Sequence, residues 1–162
     1  IKTINTLWNT TVDFFNLHPD YIPKDNLMGF ISNDEGETYN LCHFWSNFEI
    51  ANLNLWRSPQ YQEYFEYLYH AGGFFYERWG DAPVHSIAAS LLLNKDQIHH
   101  FADIGYRHEP NDNCPIDTNV WKQNNCECNP KKDFTFHKYS CGTQFYDAAG
   151  VKKPEGWELH RG

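Results

Sequence analysis

Arg57-Ser58-Pro59-Gln60-Tyr61-Gln62-Glu63-Tyr64-Phe65-Glu66-Tyr67-Leu68-Tyr69-His70-Ala71-Gly72-Gly73 is the most strongly patterned stretch of this chain. Ser58 can cap a helix, Pro59 suits its first turn, and Tyr61, Tyr64, Phe65, Leu68 and Tyr69 then fall on one face until Gly72-Gly73 ends it. Downstream, Asp81-Ala82-Pro83 opens a second helix that runs through Val84 to Leu93, and Gln97 to Ile104 alternates like a strand. Upstream, Tyr39 to Trp45 reads as a strand, preceded by a surface loop over Tyr21 to Glu37 that the apolar run Leu27 to Ile31 interrupts. A first helix spans Ile4 to Leu17, stopped by His18-Pro19. Strand, helix, helix and strand in succession predict an α/β fold, a mixed sheet with flanking helices. Beyond Tyr106 periodicity fades into a loop-rich tail with a short strand at Asp133 to His137. The expected organisation is therefore one domain, residues 1–162, with an α/β part over 1–105 and a loop-rich, cysteine-bearing part over 106–162.

Thirteen basic against twenty-one acidic residues give a net charge of −8, without a basic cluster beyond Lys131-Lys132 and Lys152-Lys153. Nucleic acid is thereby disfavoured as a partner. A diphosphate ligand stays compatible if a divalent cation neutralises it. Aromatics make up 17% of the chain, and rings with polar tips or edges serve both cores and sugar platforms. No run approaches a membrane span, and the chain begins at Ile1, so it reads as a piece of a longer protein.

Cys114, Cys126, Cys128 and Cys141 cluster near the end, flanked by His108 and His137. Zinc would explain such a cluster, but Cys126-Glu127-Cys128 is tighter than structural zinc loops prefer, which favours disulfides. The sequon Asn9-Thr10-Thr11 agrees with an oxidising secretory compartment. One cysteine is odd. Either Cys42 is free and buried, or it pairs within the cluster and leaves another thiol over.

Two acids lie in aromatic surroundings: Glu49 within His43-Phe44-Trp45-Ser46-Asn47-Phe48-Glu49-Ile50, and Asp81 within Phe74-Phe75-Tyr76-Glu77-Arg78-Trp79-Gly80-Asp81-Ala82-Pro83-Val84-His85. An acid among rings loses water, so its charge needs a partner or a purpose. Glu49 could simply pair with Arg57 or Arg78. Asp81 could simply cap its helix, and Arg78 could pair with Asp81 or Glu77. In the chemical reading, an acid beside an anomeric carbon attacks as nucleophile or stabilises an oxocarbenium-like ion pair, while a rigid second carboxylate orients sugar hydroxyls. Of the rings Trp45, Phe74, Phe75, Tyr76, Trp79 and Tyr106 most are expected in the core, while a Trp or Tyr adjacent to each acid could stack on a sugar and exclude water. No glycine-rich phosphate loop is present.

Three runs resemble, in the same order, motifs of the fungal Golgi α-1,2-mannosyltransferases of glycosyltransferase family 15: Tyr39 to Ile50, Ala71 to Ser86, and Asp103-Ile104-Gly105-Tyr106 with Asn113-Cys114-Pro115. The resemblance implies a nucleotide-diphospho-sugar transferase fold, GT-A-like, of which this chain is the C-terminal part. It implies GDP-mannose as donor, a mannoside on a glycoprotein or glycolipid as acceptor, Mn²⁺ as cation and retention at the anomeric carbon. Glu49 and Asp81 take the catalytic roles, Trp45, Arg78, Trp79 and Tyr106 bind substrate, and His108 is a metal ligand. It further implies a Golgi-luminal, type II membrane protein whose anchor and donor-binding N-terminal half lie outside this chain. A non-catalytic secreted carbohydrate-binding module is the competing expectation.

Overall fold

The computed structural model describes residues 3–162, which form two compact units divided between Ile98 and His99. In the first, the α-helices are α1 (Leu7–Leu17), α2 (Met28–Ile31), α3 (Leu53–Trp56), α4 (Pro59–Ala71), α5 (Gly73–Tyr76) and α6 (Asp81–Leu92). The second holds the hairpin β1 (Tyr106–His108) and β2 (Asn111–Asn113), then α7 (Thr118–Gln123) and α8 (Gly142–Ala149).

The best-patterned segment folds as its residues dictate. Ser58 accepts the Tyr61 N–H at 3.2 Å, Pro59 occupies the first turn of α4, and Gly72 ends it at φ 83°, a backbone state that favours glycine. The buried face of α4, Tyr61, Tyr64 and Leu68, packs on α1 and α6. Leu7, Trp8, Phe14 and Phe15 of α1 and Val84, Ile87, Ala88 and Leu91 of α6 complete this core, with Leu27, Phe30 and Ile31 packed on α6. Tyr64 is fully buried, and its phenol meets the Thr11 hydroxyl at 2.8 Å. That bond satisfies two polar atoms that burial would otherwise leave costly. Gly73 is held for a different reason: a Cβ there would sit 2.1 Å from the Trp79 ring.

The mixed sheet is not formed among the described residues, whose only ladder is the β1–β2 hairpin. Tyr39 to Trp45 is loop. Asn40 takes its place in local bonding: its amide donates to the Phe30 carbonyl at 3.0 Å, and its side-chain oxygen accepts the Cys42 N–H at 2.8 Å. Leu41 follows at φ 71°. Such side-chain bonds compete with a ladder, and a strand has no stability without a neighbour to pair with. Gln97 to Ile104 likewise lacks a partner, and its start is drawn into a 3₁₀ turn over Lys95–Gln97 capped by Asn94. Asp133 to His137 makes a single bridge, Asp112 to Asp133. No helix among the described residues is long and apolar enough to cross a membrane.

In the second unit Phe136, Phe145, Tyr146 and Cys114 are buried, and a disulfide joins Cys114 to Cys128. Cys42 and Cys141 are also disulfide-bonded, which leaves Cys126 as the free thiol. Zinc is thereby excluded as the reason for the cluster. Asp133, 5% exposed, accepts the Cys114 N–H at 2.9 Å and the Thr135 hydroxyl at 2.8 Å. Beside it, burial holds the His100 imidazole below its ordinary value, against the opposing pull of the Asp133 charge. A depressed folded value favours neutral imidazole, so its stabilising contribution is complete above the unfolded value near 6.5 and is lost as pH falls through the folded value. Thermal melts are expected to show a midpoint that drops on acidification below this range, and His100→Gln should flatten the drop.

Candidate active site

The loop from Phe44 to Glu49 is tied down on the start of α6. The Phe44 N–H donates to the Ser86 hydroxyl at 2.8 Å, and the Ser46 hydroxyl donates to the Asp81 carboxylate. Asp81 is not the cap that its Ala-Pro sequel suggests. Gly80 holds the N-cap position and Asp81 is the first helical residue, so its carboxylate reaches the loop instead. Hydrogen bonds from Ser46, its own N–H and Ala82 hold the Asp81 carboxyl below its usual value, with a further contribution from His85. It therefore stays charged at neutral pH.

Glu49 arrives at the same helix by way of His85, one turn beyond Asp81 on the same face. Its Oε2 lies 3.5 Å from His85 Nδ1. The imidazole is stacked on Trp56 at 4.5 Å and 28°, and meets Tyr61 edge-on at 6.3 Å. Tyr61 responds to both its burial and the Glu49 charge, which push its phenol above the ordinary value. Two acids 32 positions apart in sequence thus share one helix start, each with its own hydrogen-bonding partner. One expectation needs correction. Glu49 is not stripped of water: its side chain is 41% exposed, on a loop whose Phe48 and Ile50 also face solvent. Neither Arg57 nor Arg78 pairs with it.

The remaining candidates are distributed unevenly. Trp45 is half-buried in the same loop. Arg78 is exposed, its guanidinium free of both Glu77 and Asp81, while its N–H donates to the Thr3 carbonyl at 2.7 Å. Glu77 is instead held by the Thr6 hydroxyl at 2.8 Å and by Trp79 Nε1 at 2.9 Å. Trp79 is 5% exposed, so its ring packs against Gly73 and Phe74 as part of the core. In the second unit, Tyr106 lines a cavity of about 830 Å³ with Asp103, Arg107, Asp112, Asn124 and Glu127. His108 is exposed at the end of β1, and Glu109-Pro110 is simply the hairpin turn between His108 and its partner Asn111. No group of three or more His, Cys, Asp or Glu side chains converges among the described residues as a metal cage would require. A single imidazole on a hairpin suits a borderline divalent cation as one ligand of several, and no more than that.

Sequence reasoning did not find Ser46, Ser86 or Trp56. Their signals were faint: two serines in or beside the matched runs, and a tryptophan ahead of the helix cap. His85, inside the second matched run, is the residue that Glu49 meets.

Comparison with known proteins agrees with the motifs. The profile of the family described as "Glycolipid 2-alpha-mannosyltransferase" matches residues 1–150. The chain belongs to this family. It is 65% identical over 159 residues to the Saccharomyces cerevisiae protein named "Glycolipid 2-alpha-mannosyltransferase", covering 98% of this chain and 36% of that one. It is 59% identical to "Alpha-1,2 mannosyltransferase KTR1" of the same yeast, covering 99% of this chain and 41% of the relative. Among solved structures, the mannosyltransferase Ktr4p from S. cerevisiae in complex with GDP superposes with TM-score 0.80 at 36% identity, over 99% of this chain and 43% of that one. Core-mannan synthase A from Aspergillus fumigatus, in a Mn/GDP form, superposes at 0.79 and 38% identity, over 93% of this chain and 42% of that one. The chain thus spans about two-fifths of the relatives it matches.

Proposed function

We propose that this chain is the acid-bearing portion of a retaining α-1,2-mannosyltransferase that moves mannose from GDP-mannose to a mannoside on a glycoprotein or glycolipid. The observation that carries this reading is that the loop bearing Glu49 is held on the first turns of α6, with Glu49 on His85 and Ser46 on Asp81, within a chain whose relatives carry that activity in their names. Glu49 acts on the anomeric carbon, either as nucleophile or as the anion that stabilises an oxocarbenium-like ion pair. Asp81, charged and fixed by Ser46, accepts hydrogen bonds from hydroxyls of the transferred sugar and holds it in line. His85, braced by Trp56, positions the Glu49 carboxylate. Trp45 covers the apolar side of the sugar, and Arg78, unpaired and exposed, is available to a diphosphate oxygen.

His108 would hold one position of a divalent cation, Mn²⁺ by analogy with the Aspergillus protein, and Tyr106 would line the substrate cleft. A bound cation supplies charge neutralisation to the leaving diphosphate. The fold that would assemble these parts is the larger GT-A-like domain, of which this chain is the C-terminal part. The setting is the Golgi lumen, with a type II anchor outside this chain.

The test is direct. Full-length protein, incubated with GDP-mannose, Mn²⁺ and methyl α-mannoside, is expected to yield an α-1,2-linked dimannoside, read by NMR of the new anomeric proton. Release of free mannose alone, or no consumption of donor, would contradict the reading.

A further inference from the structure

Asn9-Thr10-Thr11 is the only Asn-X-Ser/Thr sequence in the chain, and the transfer chemistry makes no use of it. All three residues lie inside α1. Asn9 is exposed, on a stripe shared at helical spacing with Thr6, Asp13 and Asn16. All four are polar, as befits a helix face that stays in water. The opposite stripe is Leu7, Trp8, Thr11, Phe14 and Phe15, all buried. Thr11 itself is 1% exposed, its hydroxyl 2.8 Å from the Tyr64 phenol, and the rings of Phe14 and Phe15 close on Tyr64 at 5.4 and 5.5 Å.

An enzyme that modifies such a motif has to reach the asparagine amide and the hydroxyl two residues on together. On a helix those two side chains point about 200° apart, and here the hydroxyl is sealed against Tyr64, so folded α1 cannot present both. The nascent chain can. α1 has 11 residues, fewer than the roughly 12–15 that an isolated helix needs in water, and the residue that seals Thr11 comes 53 positions later. At a synthesis rate of about 5–20 residues per second, that interval leaves roughly 3–10 s in which the motif is open. We propose that Asn9 is a modification site, whose side-chain amide receives an N-linked oligosaccharide before α1 docks on α4. The donor is an oligosaccharide carried on a lipid diphosphate. Asn9 Nδ2 bonds to the anomeric carbon of the first sugar, the bond from that carbon to the diphosphate oxygen breaks, the lipid diphosphate leaves, and one amide proton is released. The finished glycan then stands on the polar face of α1, where the fold has room for its bulk. The proposal rests on the luminal setting given above and is independent of the roles of Glu49 and Asp81.

The experiment produces the full-length protein in a eukaryotic cell, once in its native form and once behind a foreign secretion signal. N-glycans are released enzymatically in ¹⁸O-water, which leaves labelled aspartate wherever a glycan stood, and the peptide bearing Asn9 is mapped by mass spectrometry. Labelled aspartate at Asn9 is expected in both, and Asn9→Gln should abolish it with the thermal midpoint and the transfer rate unchanged. An unmodified Asn9 behind the foreign signal overturns the proposal. Label behind the foreign signal alone supports the site and overturns the luminal setting instead. The order of events is read on unglycosylated full-length protein made in bacteria and offered, with a lipid-linked donor, to a purified oligosaccharyltransferase, either folded or reduced and alkylated. The unfolded chain is expected to be labelled at Asn9 about tenfold faster or more, because the folded protein must wait for α1 to open. Equal rates, or an unfolded chain that takes no label, overturn that order.

Discussion

Replacing Glu49 by Gln in the full-length protein is expected to lower kcat by about 10²–10³-fold or more, the loss seen when a preorganised electrostatic partner of the transition state is removed. Gln keeps the volume and can still meet His85, so the stack of Trp56 on that imidazole survives. What disappears is the negative charge. Either mechanism compatible with retention needs it, because Gln neither forms a glycosyl ester nor balances an oxocarbenium ion. Donor binding should persist, since the group acts late. A structural acid would behave in the opposite way: its loss would move the melting midpoint and leave turnover nearly intact. Because the Glu49 side chain is 41% exposed, little change in the midpoint is expected. Calorimetric titration with GDP and a mannosyl-transfer assay on the same preparation separate the two cases.

Gly73→Ala is expected to cost about 1–3 kcal/mol of stability, the range for forcing extra volume into a packed core. The reason lies in one contact. A Cβ at Gly73 would fall 2.1–2.3 Å from three atoms of the Trp79 ring, which is 5% exposed and tethered through its Nε1 to Glu77. The ring cannot swing aside without breaking that bond, and Glu77 in turn holds Thr6 ahead of α1. Urea unfolding of the full-length variant should show a lower midpoint with an unchanged slope. Displacement of Trp79 also moves the lead-in to Asp81, so transfer should weaken alongside stability. An unaltered midpoint would mean that the tight packing of Gly73 on Trp79 is wrong.

Local chemistry explains which parts of this architecture could be read from residues alone. α4 carries its own instructions: Ser58 caps it, Pro59 starts it and Gly72 stops it. Apolar spacing gives α6 in the same way, while α1 starts at Leu7, three residues after the Ile4 that the spacing suggests. The strands failed because a strand is a relation between two segments. Tyr39 to Trp45 has the composition, but among the described residues no strand runs alongside it, and Asn40 offers its backbone an alternative. Short helices such as α3 and α5 give too few turns for periodicity to register.

The site divides along the same line. Glu49 and Asp81 were visible as acids in unusual company, and the family motifs set them in order. The contacts that hold both on α6 do not show in the sequence. They depend on Ser46 reaching across to Asp81 and on His85 standing one turn along α6, and both are contacts between segments that no spacing in the sequence encodes. Glu49 is more exposed than its aromatic company in the sequence suggests, because its neighbours turn their rings elsewhere: Phe48 faces solvent.

A double-mutant cycle on Glu49 and Asp81 tests the central claim most directly. In the full-length protein, kcat/KM for transfer from GDP-mannose to methyl α-mannoside would be measured for E49Q, D81N and the pair. Two carboxylates acting on one sugar should be coupled, so the double variant should lose less than the sum of the single losses by more than about 1 kcal/mol. Losses that add to within about 0.3–0.5 kcal/mol would place the two acids in independent roles and contradict the shared site.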